Sequence, residues 1–240
     1  MHVILFLSFS SLEWLALVVL MFTMFRFQLR DYAGQLLFTA FLLSLFSYVV
    51  FHTLQIKLAF TLLQPPVVFL FLWQIYRIQP FYAGLMTTYG YLAYLLVQKS
   101  VLFGLYRLGL SPAEVLYVTW KGTAVQCATA AIAFLAAYLF GKYRLGYTFV
   151  PDSVFAPVHW NRLNVTLLVL SLIGYGIVAV SGHDMYESGS MPLLLLFMTG
   201  GIMGVLLRLA LKKEESSARR AFGMHKMMRE HGRTEKKPPA

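Results

Sequence analysis

The chain has few charged residues: Asp, Glu, Lys and Arg together make up 12% of its 240 residues, against about a quarter in a typical soluble domain. Hydrophobic residues make up 59%, and the mean hydropathy is +0.67. This composition excludes a single water-soluble core, because too few side chains are polar enough to cover one. Most of the chain is therefore predicted to face lipid or other apolar helices.

Cysteine and catalytic motifs are also scarce. The single cysteine, Cys127, excludes an internal disulfide, and its position in an alanine-rich apolar run is typical of a small interior residue. The sequence contains no G-x-S-x-G, no H-E-x-x-H, no Walker loop and no Cys/His cluster. Hydrolase, metalloprotease and ATPase activities therefore have no support. We expect no enzymatic activity, no cofactor and no metal site.

Basic residues are absent from the first apolar run, which covers residues 1–25, and the first two, Arg26 and Arg30, follow it. A cleaved secretory signal has the opposite polarity, with its positive charge before the apolar run. The run is therefore predicted to be an uncleaved first membrane span with its N-terminus outside.

Long hydrophobic blocks are what the sequence does contain. About 20 apolar residues cross the hydrocarbon layer of a bilayer as a helix, and the blocks predict an all-α, polytopic transmembrane bundle of seven spans. Residues 1–211 are predicted to form this transmembrane domain, and residues 212–240 a basic cytoplasmic tail. The predicted spans are 3–25, 32–51, 58–75, a fourth beginning at 80, a fifth from 111 to 140, 165–180 and 191–211.

The distribution of Lys and Arg predicts the orientation, because basic residues beside a span resist translocation. With seven spans and an outer N-terminus, 16 of the 20 basic residues lie inside, nine of them in the tail. Only four lie outside: Lys57, Lys99, Arg107 and Lys121. The C-terminus is therefore predicted inside, in a multi-pass protein of the plasma membrane. The net charge of +10 indicates anionic lipid headgroups beside the tail rather than nucleic acid as the partner.

Three segments leave the path of the chain open. Pro65 and Pro66 should kink or break the third span unless neighbouring helices satisfy the carbonyls that they free. Residues 99–110 either continue the fourth helix beyond the membrane or turn to lie on its surface. Residues 145–164 form the longest internal loop, which is interfacial or re-entrant.

Glu13 is the sharpest candidate for a functional site, because it is a carboxylate halfway along the first span. Its predicted partner is Lys121, since both lie nine or ten residues from the outer starts of their helices. Counted from the inner markers, however, their depths differ by about 12 Å. The alternatives are a structural anchor, a ligand or proton site, or a span shorter than drawn.

A second candidate lies in residues 181–190, which are predicted to form a polar outer loop. His183 and Glu187 have the i, i+4 spacing of metal ligands on a helix, and Asp184 lies between them. The glycines of the segment argue against a helix, and zinc needs a third fixed ligand. A solvated acidic loop is the simpler interpretation.

Gly200 and Gly204 form a G-x-x-x-G spacing in the seventh span, which predicts close helix packing within the chain or between chains. The tail that follows mixes basic residues with methionines. It is predicted to be a solvated segment, an amphipathic helix on anionic lipid, or a docking segment for a membrane or cytoplasmic partner.

Three stretches, FRFQLRDY at 25–32, FSYVV at 46–50 and LWQIYR at 72–77, resemble the multi-helix membrane regions of peptide-sensing histidine kinases from Gram-positive bacteria. The resemblance covers roughly the first hundred residues, and no kinase domain follows the seventh span. It implies a sensor-like or accessory membrane module that acts through another protein. The alternative is a small-molecule transport component, in which Glu13, the Pro-Pro pair and Lys121 line the path.

Overall fold

The structure is a computed structural model that describes residues 3–50, 57–107, 120–151, 158, 160–187 and 193–234. Over these residues the chain is all-helical, as predicted, with seven α-helices and no strand. The helices are α1 (Val3–Met24), α2 (Ala33–Tyr48), α3 (Lys57–Gln74), α4 (Pro80–Arg107), α5 (Trp120–Lys142), α6 (Arg162–Glu187) and α7 (Leu193–Thr234). The helix start predicted at 111–114 lies outside the described residues.

Two of the described helices, Val3–Met24 and Gly122–Lys142, are long and apolar enough to cross a membrane. Shorter apolar helices cover Ala33–Tyr48, Leu62–Gln74 and Arg162–Ile177. The chain is thus a helical protein in which at least these two segments have the length and composition that a membrane span needs.

The core is built around α1 and α4. Helix α1 packs against α2, α4 and α5, and its Ala16, Val18, Met21 and Phe22 side chains are completely buried. The alanine-rich face of α5 provides the surface for α1, with Ala130, Ala133 and Ala137 buried at helical spacing. Helix α4 packs against α1, α3, α5, α6 and α7.

Two glycines set the closest helix contacts. A Cβ atom on Gly90 of α4 would lie 2.5 Å from Cε of Met21 in α1, and one on Gly174 of α6 would lie 3.0 Å from Cγ2 of Thr88 in α4. Small residues allow such an approach between helices. Both glycines therefore lie at close helix contacts, and no pattern in the sequence singles out Gly90.

The proline pair does not break α3, which runs from Lys57 to Gln74 with Pro65 and Pro66 inside it. Pro66 lacks the N–H that would bond the carbonyl of Leu62. The Tyr175 hydroxyl of α6 donates a hydrogen bond to that carbonyl at 2.5 Å. A neighbouring helix therefore supplies the missing donor, which is the condition under which a helix tolerates proline inside a membrane.

Helices α4 and α6 are longer than the sequence alone could specify. Helix α4 continues to Arg107 and does not turn at Lys99, whose side chain is only 5% exposed. Helix α6 begins at Arg162, where the Asn161 side chain accepts a hydrogen bond from the backbone N–H of Asn164 at 2.9 Å. Asparagine is a preferred residue for this capping position.

Candidate functional site

Two regions combine charged and aromatic side chains. The first, the Glu13 cluster, consists of Glu13, Trp14, Tyr91 and Tyr94. Glu13 lies in the middle of α1, partly buried, and its Oε1 atom accepts a hydrogen bond of 3.2 Å from the Tyr94 hydroxyl of α4. A carboxylate among apolar helices needs such donors, because it loses its hydration there.

Tyr91 and Trp14 complete the Glu13 cluster. The Tyr91 hydroxyl is buried and has no hydrogen-bond partner in the part of the chain that the structure describes. Its ring meets Trp14 edge-on at 6.3 Å between centroids, and the Trp14 indole N–H donates to Ser47 Oγ of α2 at 3.0 Å. The cluster therefore joins α1, α2 and α4 around one carboxylate and one unsatisfied hydroxyl.

The predicted partner of Glu13, Lys121, lies in the first turn of α5. Its side chain lies outside what the structure describes, so the ion pair remains a prediction. Tyr91 and Tyr94 were missed by sequence reasoning. Their i, i+3 spacing in an apolar helix placed both hydroxyls on one face, and nothing in the sequence alone said that this face meets Glu13.

His183, Asp184 and Glu187 are not in a loop as predicted, because α6 continues through Glu187. Gly182 does not end the helix, since one interior glycine costs only about 1 kcal/mol relative to alanine. The three side chains lie outside the described part of the structure. Among the described residues no group of three or more His, Cys, Asp and Glu side chains could hold a metal ion.

Gly200 and Gly204 do not mark a tight contact within the described chain. A Cβ on Gly200 would lie 3.8 Å from Cδ2 of Leu96 in α4, an ordinary van der Waals distance, and one on Gly204 would meet nothing within 4 Å. The close contact of the later helices is instead at Gly174. Packing of Gly204 against another chain remains a prediction.

The second region is the basic end of the bundle, where α1, α3 and α5 finish. The ends of α1 and α3 are in contact through Phe22 and Tyr76, whose ring centroids are 4.8 Å apart. The ends of α1 and α5 are joined by a 2.5 Å hydrogen bond from the Arg26 guanidinium to the carbonyl of Arg144. Alternate helices thus end side by side, as in an up-and-down bundle.

Each of these three helices is followed by an arginine in the left-handed region. The φ angles are 54° at Arg26, 53° at Arg77 and 52° at Arg144. Glycine is the usual residue there, because a side chain costs about 1 kcal/mol or more. A cation beside a helix C-terminus is favourable, since it faces the negative end of the helix dipole. A left-handed arginine therefore follows each of the three helices that finish at the basic end.

The hydrogen bonds identify two of these turns as Schellman caps. After α1, the N–H of Phe27 bonds the carbonyl of Phe22 at 3.1 Å. After α5, the N–H of Leu145 bonds the carbonyl of Phe140 at 2.9 Å. These are the bonds that close a helix whose next residue is left-handed. The basic end and the connections beside it carry exposed basic side chains, which include Arg26, Arg30, Arg77, Lys142, Arg144 and Arg162.

Residues 143–150, here called the strap, connect the basic end to α7. The Tyr147 N–H donates to the carbonyl of Met24 in α1 at 2.9 Å, and its hydroxyl donates to the carbonyl of Leu207 in α7 at 3.3 Å. The Thr148 hydroxyl donates to the Glu214 carboxylate at 2.9 Å. The strap therefore fixes α7 to the end of α1.

Lys213 of α7 is buried beneath the strap, with 5% of its side chain exposed. Its Nζ atom lies 4.7 Å from the ring centroid of Phe81, 4.5 Å from that of Tyr82 and 4.8 Å from that of Phe149. These three rings and the ammonium group form the Lys213 cage. The arrangement is the one that aromatic residues use to bind cations.

No hydrogen-bond acceptor reaches Lys213 Nζ within the described residues. Burial lowers the pKa of Lys213 to about 8, so the group is still mainly an ammonium ion at pH 7. The faces of the three rings therefore take the place of water around this charge. Sequence reasoning counted Lys213 among the exposed tail cations and did not find the cage, because its rings come from α4 and the strap.

Comparison of the chain with protein-family models, with curated proteins and with solved structures finds no match in any of the three. The resemblance to sensor kinase membrane regions therefore remains a prediction.

Proposed function

We propose that the chain is a multi-pass protein of the plasma membrane, without enzymatic activity of its own, that serves as a sensor-like or accessory subunit and acts through a partner. The observation that carries this proposal is the continuity of α7. This helix extends for 42 residues, from Leu193 to Thr234. At 1.5 Å per residue that is about 63 Å, twice the thickness of the hydrocarbon layer.

The second half of α7 is polar and basic. Residues 212–234, the α7 extension, continue the apolar half without a break in the helix and carry Lys and Arg throughout. A helix that leaves a membrane bundle and presents charged side chains is suited to docking with a second protein or with anionic lipid headgroups. A change in the bundle would thereby reach a partner outside the membrane.

The basic end supports an inner location for the α7 extension. The arginines at the ends of α1, α3 and α5 lie at the end where the strap meets α7, and basic residues face the cytoplasm in membrane proteins. This arrangement supports seven spans with the N-terminus outside and the C-terminus inside. Reporter proteins fused after Ser188 and after Ala240 should report opposite compartments, and the same compartment for both would overturn the topology.

The partner is tested by crosslinking the full chain in native membranes, followed by identification of the chains that co-purify. We expect one membrane or cytoplasmic protein to be captured by the full chain and lost when residues 212–240 are deleted. A variant that keeps these residues but scrambles their order controls for charge. Capture of the same proteins with and without residues 212–240 would contradict the proposal.

A transport component is the second candidate, and the Glu13 cluster favours it. A carboxylate, a buried hydroxyl without a described partner and a proline-containing helix held by Tyr175 are features of substrate paths through membranes. Glu13 and Lys121 would line this path. Uptake into proteoliposomes that is lost in the Glu13→Gln variant would favour transport over the accessory function, and uptake unchanged by the substitution would remove this candidate.

A further inference from the structure

Lys213 belongs to the row of buried residues along one side of α7. Buried residues of this helix recur at alternating spacings of four and three, which is the pattern of a helix that packs along one seam. They are Thr199, Met203, Leu206, Ala210 and Lys213. The lysine is therefore the last described member of the buried stripe. Beyond it, Glu215, Ala218 and Arg219 are exposed.

A lysine that follows the apolar residues of such a stripe would ordinarily extend its ammonium group into water. Lys212, its neighbour, does so and is exposed. Lys213 instead turns inward, where its ammonium group meets three aromatic rings from two other parts of the chain, the start of α4 and the strap. The contact thus joins α7 to both at the point where the helix leaves the bundle.

The next residue adds a second connection at the same level. Glu214 accepts the hydrogen bond from Thr148 of the strap at 2.9 Å, and the strap is in turn bonded to the end of α1 through Tyr147. Four parts of the chain therefore meet at this level: the end of α1, the start of α4, the strap and α7. No described side chain beyond Glu214 has a hydrogen bond to another helix that would hold the extension in place.

We propose that the Lys213 cage is a latch that fixes the direction in which the α7 extension leaves the bundle, and that it couples the end of α1 to the extension through the strap. This proposal rests on the proposed function, since it gives the docking segment a defined starting orientation. Movement at the end of α1 would be transmitted to the extension by the strap and by the cage. Loss of the cage would leave the helix intact but free to pivot.

The test is a distance measurement on the full chain in lipid nanodiscs. Cys127 is replaced by serine, and spin labels are placed at two exposed positions, Gln28 beside the end of α1 and Ala218 on the extension. Pulsed electron paramagnetic resonance then gives the distribution of distances between the labels. We expect a narrow distribution for the otherwise unchanged chain, and one at least twice as wide for Lys213→Met, which keeps an unbranched side chain one atom shorter and removes the charge.

Lys212→Met is the matched control, because it removes the same charge one residue away from the cage, and its distribution should stay narrow. Phe149→Leu opens the cage without touching α7 and should widen the distribution as Lys213→Met does. It also keeps the test decisive if Lys213→Met does not fold. An unchanged width in a folded Lys213→Met or Phe149→Leu protein would overturn the latch.

The latch and the proposed function fail in different ways. Failure of the full chain to capture any partner on crosslinking would overturn the accessory function and leave the measured widths unaffected. A partner captured through residues 212–240, together with unchanged widths in the variants, would overturn the latch alone.

Discussion

The Glu13 cluster and the basic end differ in the surroundings that they give to charged side chains. In the Glu13 cluster a carboxylate lies inside the bundle with one described hydroxyl donor, and the neighbouring Tyr91 hydroxyl has no partner among the described residues. Among the described Arg and Lys side chains of the basic end, all are exposed except Lys213, which is buried with three aromatic rings around it. The described cations of the basic end thus lie in water or against aromatic rings, whereas the Glu13 carboxylate has one described hydrogen-bond donor, the Tyr94 hydroxyl.

The most severe test of this difference is Glu13→Gln. Glutamine keeps an acceptor for Tyr94 and removes only the charge, so a cation such as Lys121 would be left buried and unpaired. Breaking a buried ion pair costs about 3 kcal/mol, and we expect a loss of that order in the free energy of unfolding measured in detergent. Equal stability of variant and parent would show that no buried cation depends on Glu13.

The hydroxyl donor of the cluster is tested by Tyr94→Phe. A hydrogen bond to a carboxylate contributes about 2 kcal/mol, so this variant should unfold at a correspondingly lower denaturant concentration. Tyr91→Phe is the matched control, because it removes a buried hydroxyl without a described partner and should leave stability unchanged or raise it. The same effect for both would mean that the Tyr94 bond to Glu13 contributes nothing specific.

The basic end is tested by comparing Arg144→Gly with Arg144→Ala. Both remove the guanidinium group, but only glycine relieves the left-handed backbone at φ 52°. The free energy of unfolding of Arg144→Gly in detergent should therefore exceed that of Arg144→Ala by about 1 kcal/mol. If alanine is equal or better, the left-handed turn after α5 is not a strained position.

The last test of this comparison is the pH dependence of stability at the Lys213 cage. Burial lowers the pKa of Lys213 to about 8 in the folded chain from 10.5 in the unfolded one. Between these values the unfolded chain binds more protons, so the free energy of unfolding should rise with pH. Tyr82 of α4 is a titratable group in contact with the Lys213 ammonium group, and burial raises the pKa of Tyr147 in the strap to about 12.

Because unfolded tyrosines ionise near pH 10, the useful window is about pH 8 to 9.5. Stability should rise with pH across this window in the parent and stay level in Lys213→Met. A rise of equal size in both proteins would assign the effect to another group.

The helices were predictable from sequence, and their contacts were not. Hydrophobic blocks long enough to form helices specify where α1, α2, α3 and the first half of α7 lie, because an apolar run in a membrane has no other way to satisfy its backbone. The apolar block of α7 was predicted to end at 211, and it does not specify the continuation of the helix to Thr234. The continuation of α6 past Gly182 was missed, since the local cost of glycine is small beside the bonds of a helix already formed. Lys213 contacts Phe81 and Phe149, which lie more than sixty positions away in the sequence. No local sequence pattern specifies such a contact.

The site was predicted only in part. An acid in an apolar helix is visible in any sequence, so Glu13 could be singled out. Its neighbours depend on how α1 and α4, which approach each other closely at Gly90, are rotated about their axes. The left-handed arginines were invisible for a different reason, since arginine has no preference for that conformation and only the geometry after each helix reveals it.

The unbroken α7 has a mechanical consequence. From Lys213 to Thr234 the helix is about 32 Å long, so it can act as a lever with its fulcrum at the cage. For a helix of this length, calculated from a rise of about 1.5 Å per residue, a tilt of about 10° at that point would move the far tip by about 5 to 6 Å. A rearrangement too small to open the bundle would then be amplified into a displacement as large as one turn of helix.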